Sequence, residues 1–420
     1  MNILIVGSGG REHSLAWAIK QNPKCDTLLV APGNAGISEI TECIDIDILD
    51  NSKVLQLVKN RSIDLVIIGP EGPLANGLSD TLIKENVLTF GASKAAAELE
   101  SSKAFTKSIC SSINASTAKY GLFRDKKKAK QYVRNHGLPI VIKADGLAAG
   151  KGVVVAMDQS TAFDAIEDML DGAFGASSAE ILIEEFMDGE EASFFVLSDG
   201  KNILPIGTAQ DHKRAFDGDL GPNTGGMGAY SPAPILNTKV VDITLRTIIQ
   251  PTIDEMAKRG TPYIGILYAG LMIKNGVPRL VEYNARFGDP ECQVLMMRLG
   301  AQILDLILAC LTNNLLTTKV QWAEDHAITV VMASKGYPGA YRNGSTISIE
   351  DGLVYDSQQM VFHAGTVKRD NILISNGGRV LNITARGESL LLARDKAYQI
   401  VKRISWPEGY YRSDIGWKAL

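Results

Sequence analysis

Residues 139–155 read PIVIKADGLAAGKGVVV, two β-branched runs around a loop with glycines at 146, 150 and 152 and lysines at 143 and 151. The apolar runs predict strands, and the glycines let a tight backbone turn its N–H groups toward an anion. A Walker loop would place four residues between its glycines and follow its lysine with Ser or Thr at a helix start, whereas Lys151 is followed by Gly152 and a strand. The segment is expected to be a hairpin lid over a polyphosphate. Taken alone, it also fits an ordinary glycine-rich hairpin.

A second segment supplies the chemistry such a lid would cover. Residues 280–291 read LVEYNARFGDPE, and the first half looks like a buried strand. Residues two apart on a strand share a face, so Glu282 and Asn284 point one way, and Arg286 joins them if the strand continues. One carboxylate and one amide oxygen leave a Mg2+ ion room for water and substrate phosphates, and Arg286 can grip a phosphate or carboxylate with two N–H groups. A strand end with solvated side chains explains this pattern in isolation. Beside a glycine lid in the same chain, a nucleotide and metal site explains it better.

Strands at 2–7, 27–31 and 63–69 around a helix at 11–20 predict a parallel α/β domain over residues 1–100. Residues 101–323 are expected to form a two-part domain with a small lid-bearing part at about 120–188, and residues 324–420 a last compact domain. At 420 residues the chain exceeds what one core usually holds. A formal charge of −4 favours neither nucleic acid nor an anionic membrane, so small molecules are the expected partners of a monomer. The five scattered cysteines lack CxxC or zinc spacing and fit reduced thiols in a cytoplasm. The opening MNILIVGSGG reads as a strand and turn rather than a signal peptide. His13, His136, His326 and His363 show no pairing or metal spacing and are read as structural.

The opening glycines invite a dinucleotide reading that the spacing rejects. Gly7 and Gly9 fit G-x-G-x-x-G, but Glu12 occupies the third glycine position, which argues against a nicotinamide dehydrogenase. A helix N-terminus after glycines still accepts a single phosphate, with Gly9, Gly10 and Arg11 as candidates; glycines needed only for strand-to-helix packing are the alternative. Residues 211–228, DHKRAFDGDLGPNTGGMG, are assigned to substrates. There His212, Lys213 and Arg214 offer cations, Asp211 could orient an amine or a neighbouring cation, and Asn223, Thr224, Gly225 and Gly226 offer an anion-accepting turn. A solvated surface loop is the competing reading.

In their joint order these motifs resemble the glycinamide ribonucleotide synthetase family of ATP-grasp ligases. The resemblance runs from VGSGGREHSLAW, VAPGNAG, IIGPEGPLANG and SKAFTK through the lid, IEEFMDGEEASFF, the 211–228 segment and NARFGDPECQ to FHAGT, NGGRVL and DIGW. It implies an α/β multidomain ATP-grasp fold with a Rossmann-like parallel-sheet N-terminal domain and a small mixed C-terminal domain. It also implies ATP as co-substrate, Mg2+ or Mn2+ as cofactor, and ligation of glycine to 5-phosphoribosylamine through glycyl phosphate in purine biosynthesis.

By the same resemblance, Lys103 and Lys143 hold phosphates beneath a lid that includes Asp145, Gly146, Gly150, Lys151 and Gly152. The segment Ile183–Phe186, with Glu184, Glu185 and Phe186, is the hinge between the two halves whose backbone groups read the adenine edge, and Glu191 takes the ribose hydroxyls. Glu282 and Asn284 hold the metal. Gly9, Gly10, Arg11, Asn34 and Glu71, with His212, Asn223, Thr224, Gly225 and Gly226, bind the remaining substrates, while Arg286, Asp211 and Lys213 act on the reacting groups. Ala92, where the family often has Pro, and Ala285, where it often has Cys or Val, depart from the pattern without removing a charge or a ligand. Another ATP-grasp enzyme of purine synthesis would share the lid and metal pair and differ in the substrate loop. A non-catalytic nucleotide-binding module would have lost lysines or ligands that are present here.

Overall fold

Strand β1 (Asn2–Gly7) is buried on both faces, with Ile3 and Ile5 in one hydrophobic core and Leu4 and Val6 in another, as a period-two strand between two layers requires. The computed structural model describes all residues except 148–151, 173–179, 351 and 354. With β2 (Thr27–Pro32), β3 (Glu42–Cys43), β4 (Leu65–Ile68) and β5 (Leu88–Phe90), β1 forms an all-parallel sheet in the order β3-β2-β1-β4-β5. Helix α1 (Gly10–Lys20) follows β1 across the glycine turn.

The lid-bearing part is a separate antiparallel sheet of β6 (Tyr120–Phe123), β7 (Ile140–Ala144), β8 (Val153–Ala156) and β9 (Ile181–Glu185), ordered β6-β9-β7-β8. It has its own small core, including Val133, Ile142 and Ile166. Strands β7 and β8 are the hairpin expected from the sequence, with Lys143 opposite Val153.

A long sheet forms the remaining framework. It contains β10 (Glu190–Asp199), β11 (Ile203–Asp211), β14 (Gly228–Ser231), β15 (Ile264–Lys274), β16 (Val277–Asn284) and β17 (His326–Ser334), ordered β16-β15-β10-β11-β14-β17 and continuing into the strands Arg379–Gly387 and Gln359–His363. Between β11 and β14 a short hairpin, β12 (Arg214–Phe216) and β13 (Leu220–Asn223), stands off the sheet. The two cores of the N-terminal sheet extend into this framework, since Phe195 shares a cluster with Ile3, and Phe194 shares one with Leu4. No single helix among the described residues is long and apolar enough to cross a membrane.

Two histidines expected to be unpaired meet where α1 packs on the strand Gln359–His363. The His363 N–H donates to His13 Nδ1 at 2.8 Å, and the ring centroids are 5.7 Å apart. Gly36 makes this approach possible, because a Cβ there would lie 2.5 Å from ring atoms of both histidines. Burial pushes His363 down to about 4 and holds His13 well below its ordinary value. Each ring is therefore neutral when folded and protonates near pH 6.5 when unfolded, so the unfolded chain binds more protons between about pH 4 and 6.5, and stability falls as pH drops through that window. Urea unfolding at pH 5 should show about 2 kcal/mol less stability than at pH 7 from His363 alone, a slope that His363→Phe flattens. An unchanged slope in that variant would remove His363 as the source.

Candidate active site

The face of β16 carries the site. Glu282 lies opposite Gly270 and Asn284 opposite Tyr268 on β15, so the two ligand candidates share a face as their spacing predicts. The strand ends at Asn284, yet Arg286 returns to the same face and donates from Nη2 to Asn284 Oδ1 at 3.2 Å. Burial alone would raise the Glu282 carboxyl, but Lys213, Lys143, Lys103 and Arg286 outweigh it and hold the group below the usual carboxylate range. Glu282 has no hydrogen-bond or ion-pair partner among the described residues, and no group of three or more His, Cys, Asp or Glu side chains there could hold a metal. An ionised carboxylate beside an amide oxygen, with no third protein ligand, fits a hard cation that keeps water and phosphate in its other positions.

The surrounding lysines are fixed by carboxylates. Glu184 on β9 accepts from Lys143 Nζ at 2.7 Å and Lys107 Nζ at 2.8 Å, and all three side chains are buried. Lys213 lies 3.0 Å from Glu191 and 3.4 Å from Asp211. Burial would lower Lys213, but those two carboxylates hold it well above its ordinary value, while burial raises both carboxyl groups. Lys103 Nζ reaches the Gly146 carbonyl at 3.0 Å and so touches the start of the lid. Burial pushes its pKa down, against the pull of Glu282.

Several candidates have side chains committed to the protein itself. Asp145 accepts from the Lys103 N–H at 2.6 Å and the Ala104 N–H at 3.2 Å, so its carboxylate caps the helix Lys103–Ser112. The Glu184 side chain neutralises two lysines, and Glu185 accepts from the Lys119 N–H at 3.0 Å and pairs with Arg279, so both carboxylates are held within the protein, while an adenine reader at this hinge would use backbone groups. Only Phe186, 42% exposed beyond the end of β9, is open at the expected hinge. Arg286 donates to Glu71 at 3.0 Å, Glu100 at 2.9 Å and the Phe287 carbonyl at 3.2 Å, and Glu71 is thereby its partner. With most donors taken, Arg286 orients Asn284 instead of standing free for a phosphoryl group. Gly152 accepts from the Ala144 N–H at 2.9 Å at the base of the hairpin, and Gly150 and Lys151 lie outside the described residues.

The N-terminal turn is equally self-contained. Glu12 accepts from the Gly9 N–H at 2.6 Å and pairs with Arg11, and a Cβ at Gly7 would lie 2.5 Å from its side chain. The glutamate that broke the dinucleotide pattern thus packs against Gly7, Gly9 and Gly69. Arg11 is buried and donates to the Phe287 carbonyl at 3.1 Å. Asn34 donates to the Ser8 and His363 carbonyls, both at 2.8 Å, and accepts from the Gly36 and Ile37 N–H groups. Gly9 and Gly10 remain at the helix start, beside Asp289 and Gln293.

The 211–228 segment divides into two. Asp211 and Lys213 join the cluster at Glu282, but the buried ring of His212 accepts from the Gly416 N–H at 2.9 Å and serves as a joint. Asn223 pairs with Arg214 in the hairpin. The Thr224 N–H donates to the Lys213 carbonyl at 2.7 Å, the Gly225 N–H to Tyr337 Oη at 3.1 Å, and the Gly225 carbonyl accepts from Arg379 at 2.7 Å. Arg379 also donates to the Gly226 and Asp289 carbonyls, while the Arg11 N–H reaches Asp289 Oδ2 at 3.4 Å. Arg11 near the start of the chain and Arg379 near its end therefore meet at Asp289.

The sequence reading missed Lys107, Glu100, Asp289, Tyr337 and Arg379. Lys107 had a signal, since it lies four residues after Lys103 on one helix and hence on the same face. The others contribute through partners far away in the chain.

Family models match three consecutive stretches. The phosphoribosylglycinamide synthetase N domain covers residues 1–100, its ATP-grasp (A) domain 101–292 and its C domain 327–418. The chain is 51% identical to the phosphoribosylamine–glycine ligase of Brucella melitensis over 100% of this chain and 98% of that protein. It is 50% identical to the chloroplastic enzyme of Arabidopsis thaliana, covering 98% of this chain and 79% of that one. A crystal structure of the phosphoribosylamine–glycine ligase from Thermotoga maritima superposes with a TM-score of 0.87 at 29% identity, covering 99% of this chain and 100% of that one. A biotin carboxylase domain from Hydrogenobacter thermophilus shares the fold, with a TM-score of 0.75 at 15% identity over 98% and 91% of the two chains.

Proposed function

The chain belongs to the phosphoribosylglycinamide synthetase family, and from that membership we propose how its site joins glycine to 5-phosphoribosylamine at the expense of ATP. It is an ATP-dependent ligase of purine biosynthesis. The observation that carries the reading is the ionised Glu282 carboxylate among Lys103, Lys143, Lys213 and Arg286.

A carboxylate is a poor acyl donor, so glycine first attacks the γ-phosphorus of ATP, releasing ADP and forming glycyl phosphate. Lys103 and Lys143 meet the phosphates beneath the β7–β8 hairpin, and Lys213, held protonated by Asp211 and Glu191, faces the charge that builds on the transferring phosphoryl group. Mg2+ or Mn2+ held by Glu282 and Asn284 supplies further charge neutralisation when bound. Arg286 keeps the Asn284 amide turned toward that position.

The amine of 5-phosphoribosylamine then attacks the acyl carbon, phosphate leaves, and glycinamide ribonucleotide is the product. We assign this substrate to the junction at Asp289, where the Gly9–Gly10 turn, the Asn223–Gly226 loop and Arg379 come together. The lid has a separate sheet and core, so it can close as a unit and keep water from the acyl phosphate.

Purified protein given MgATP and glycine should release ADP at full rate only when phosphoribosylamine, formed in place from ribose 5-phosphate and ammonia, is also present, and the amide should be identifiable by mass. ADP release with a different carboxylate would retain the nucleotide site and overturn the substrate assignment. The same preparation should sediment as a monomer, in keeping with the proposal of a cytoplasmic enzyme that acts on small molecules without a nucleic-acid or membrane partner.

A further inference from the structure

Both chain neighbours of Lys213 are tied to residues 412–418. The His212 ring accepts from the Gly416 N–H at 2.9 Å, and the Arg214 carbonyl accepts from Arg412 Nη1 at 3.0 Å. Lys213 itself is held from the opposite side, its carbonyl accepting from the Thr224 N–H at 2.7 Å and Oγ1 at 2.9 Å. Three successive residues are thus fixed, and the central one carries the side chain between Asp211 and Glu191.

Arg412 heads the fully buried side chains by size. It donates to Asp219 Oδ1 at 2.9 Å and to the two Asp414 oxygens at 2.7 and 2.8 Å. Asp219 also pairs with Lys418 at 2.6 Å, Asp414 accepts from the Gly218 N–H at 2.7 Å, and Asp217 accepts from the Ser413 N–H at 2.8 Å. Burying a guanidinium is unfavourable unless its donors are paired. Here Nε and Nη2 are paired with Asp414 and Nη1 with Asp219 and the Arg214 carbonyl of the hairpin, whose residues Phe216 and Leu220 stay exposed. The network holds the turn Asp217–Asp219 at the hairpin tip, while the Arg412–Arg214 and Gly416–His212 hydrogen bonds fix the base of the hairpin beside Lys213.

We propose that residues 412–418 form a strap that positions Lys213 for phosphoryl transfer. Arg412, Asp219 and His212 are positioning residues that act through Lys213. The inference rests on the role of Lys213 given under the proposed function.

The test is a double-mutant cycle in the full chain, with Asp219→Asn and Lys213→Met made singly and together and ADP release followed long enough to read slow turnover. The strap should give about a tenfold or larger loss of kcat in Asp219→Asn, a KM for MgATP within about twofold of the parent, and no further loss when Lys213 is already Met. Equal fold-losses in both backgrounds, or no loss from Asp219→Asn alone, would overturn the strap. Lys213→Met separates the two readings: wild-type turnover in it removes the role of Lys213 and the strap with it, whereas slow turnover with multiplying effects removes the strap alone. If Asp219→Asn does not fold, Lys418→Met carries the same cycle from a partly exposed position, with a smaller loss expected in the parent and none in Lys213→Met.

Discussion

Replacing Glu282 with Ala should reduce turnover on the order of 10³-fold or more while the protein still folds. Glu282 brings a negative charge to a face where three lysines and Arg286 converge, and no hydrogen bond or ion pair among the described residues consumes it. Its loss removes the carboxylate ligand proposed for the metal, so phosphates would bind without the ion that orients them. The framework should tolerate the change, because Glu282 anchors no helix cap or strand end. Turnover measured with saturating MgATP, beside a melting curve for the same sample, tests this. Activity within tenfold of the parent would remove Glu282 from the metal site.

The second large effect is expected in the lid. Glu184→Gln takes the shared negative charge away from two buried ammonium groups, leaving Lys107 only the neutral Thr117 Oγ1 and Ala118 carbonyl acceptors and Lys143 without its ion-pair partner. Breaking a buried pair in this way typically costs about 3–5 kcal/mol. The four-stranded lid sheet has only a small core to absorb that loss, so it should open locally while the long sheet holds. Limited proteolysis should cut within residues 120–188 far faster than in the parent, and affinity for MgATP should fall with it. Parent-like resistance to protease would show that other contacts hold Lys107 and Lys143.

What the sequence made legible was local. The hairpin is set by β-branched runs and glycines, and the common face of Glu282 and Asn284 follows from strand parity. Glu12 argues against a dinucleotide fingerprint by its position alone. What stayed hidden was the identity of partners. Arg286 reads as a free phosphate-gripping arginine until Glu71 and Glu100 are seen to hold it, and Asp145 reads as a ligand until it caps a helix that begins at Lys103. His13 and His363 lie 350 positions apart and are paired only by the packing of α1. Charge and spacing announce that a residue can do chemistry, but long-range contacts decide whether it is free to do so.

The order of strands in the long sheet also bears on how the chain is made. Strand β14 lies between β11, which precedes it closely, and β17, which begins at His326. At about 5–20 residues per second, the ribosome needs roughly 5–20 seconds to extend the chain from one to the other. Throughout that interval β14 offers an unpaired edge beside half-built catalytic strands, the kind of edge that recruits a wrong neighbour. Newborn chains therefore carry this exposed edge until β17, at the start of the C-terminal stretch, pairs with it and closes that window.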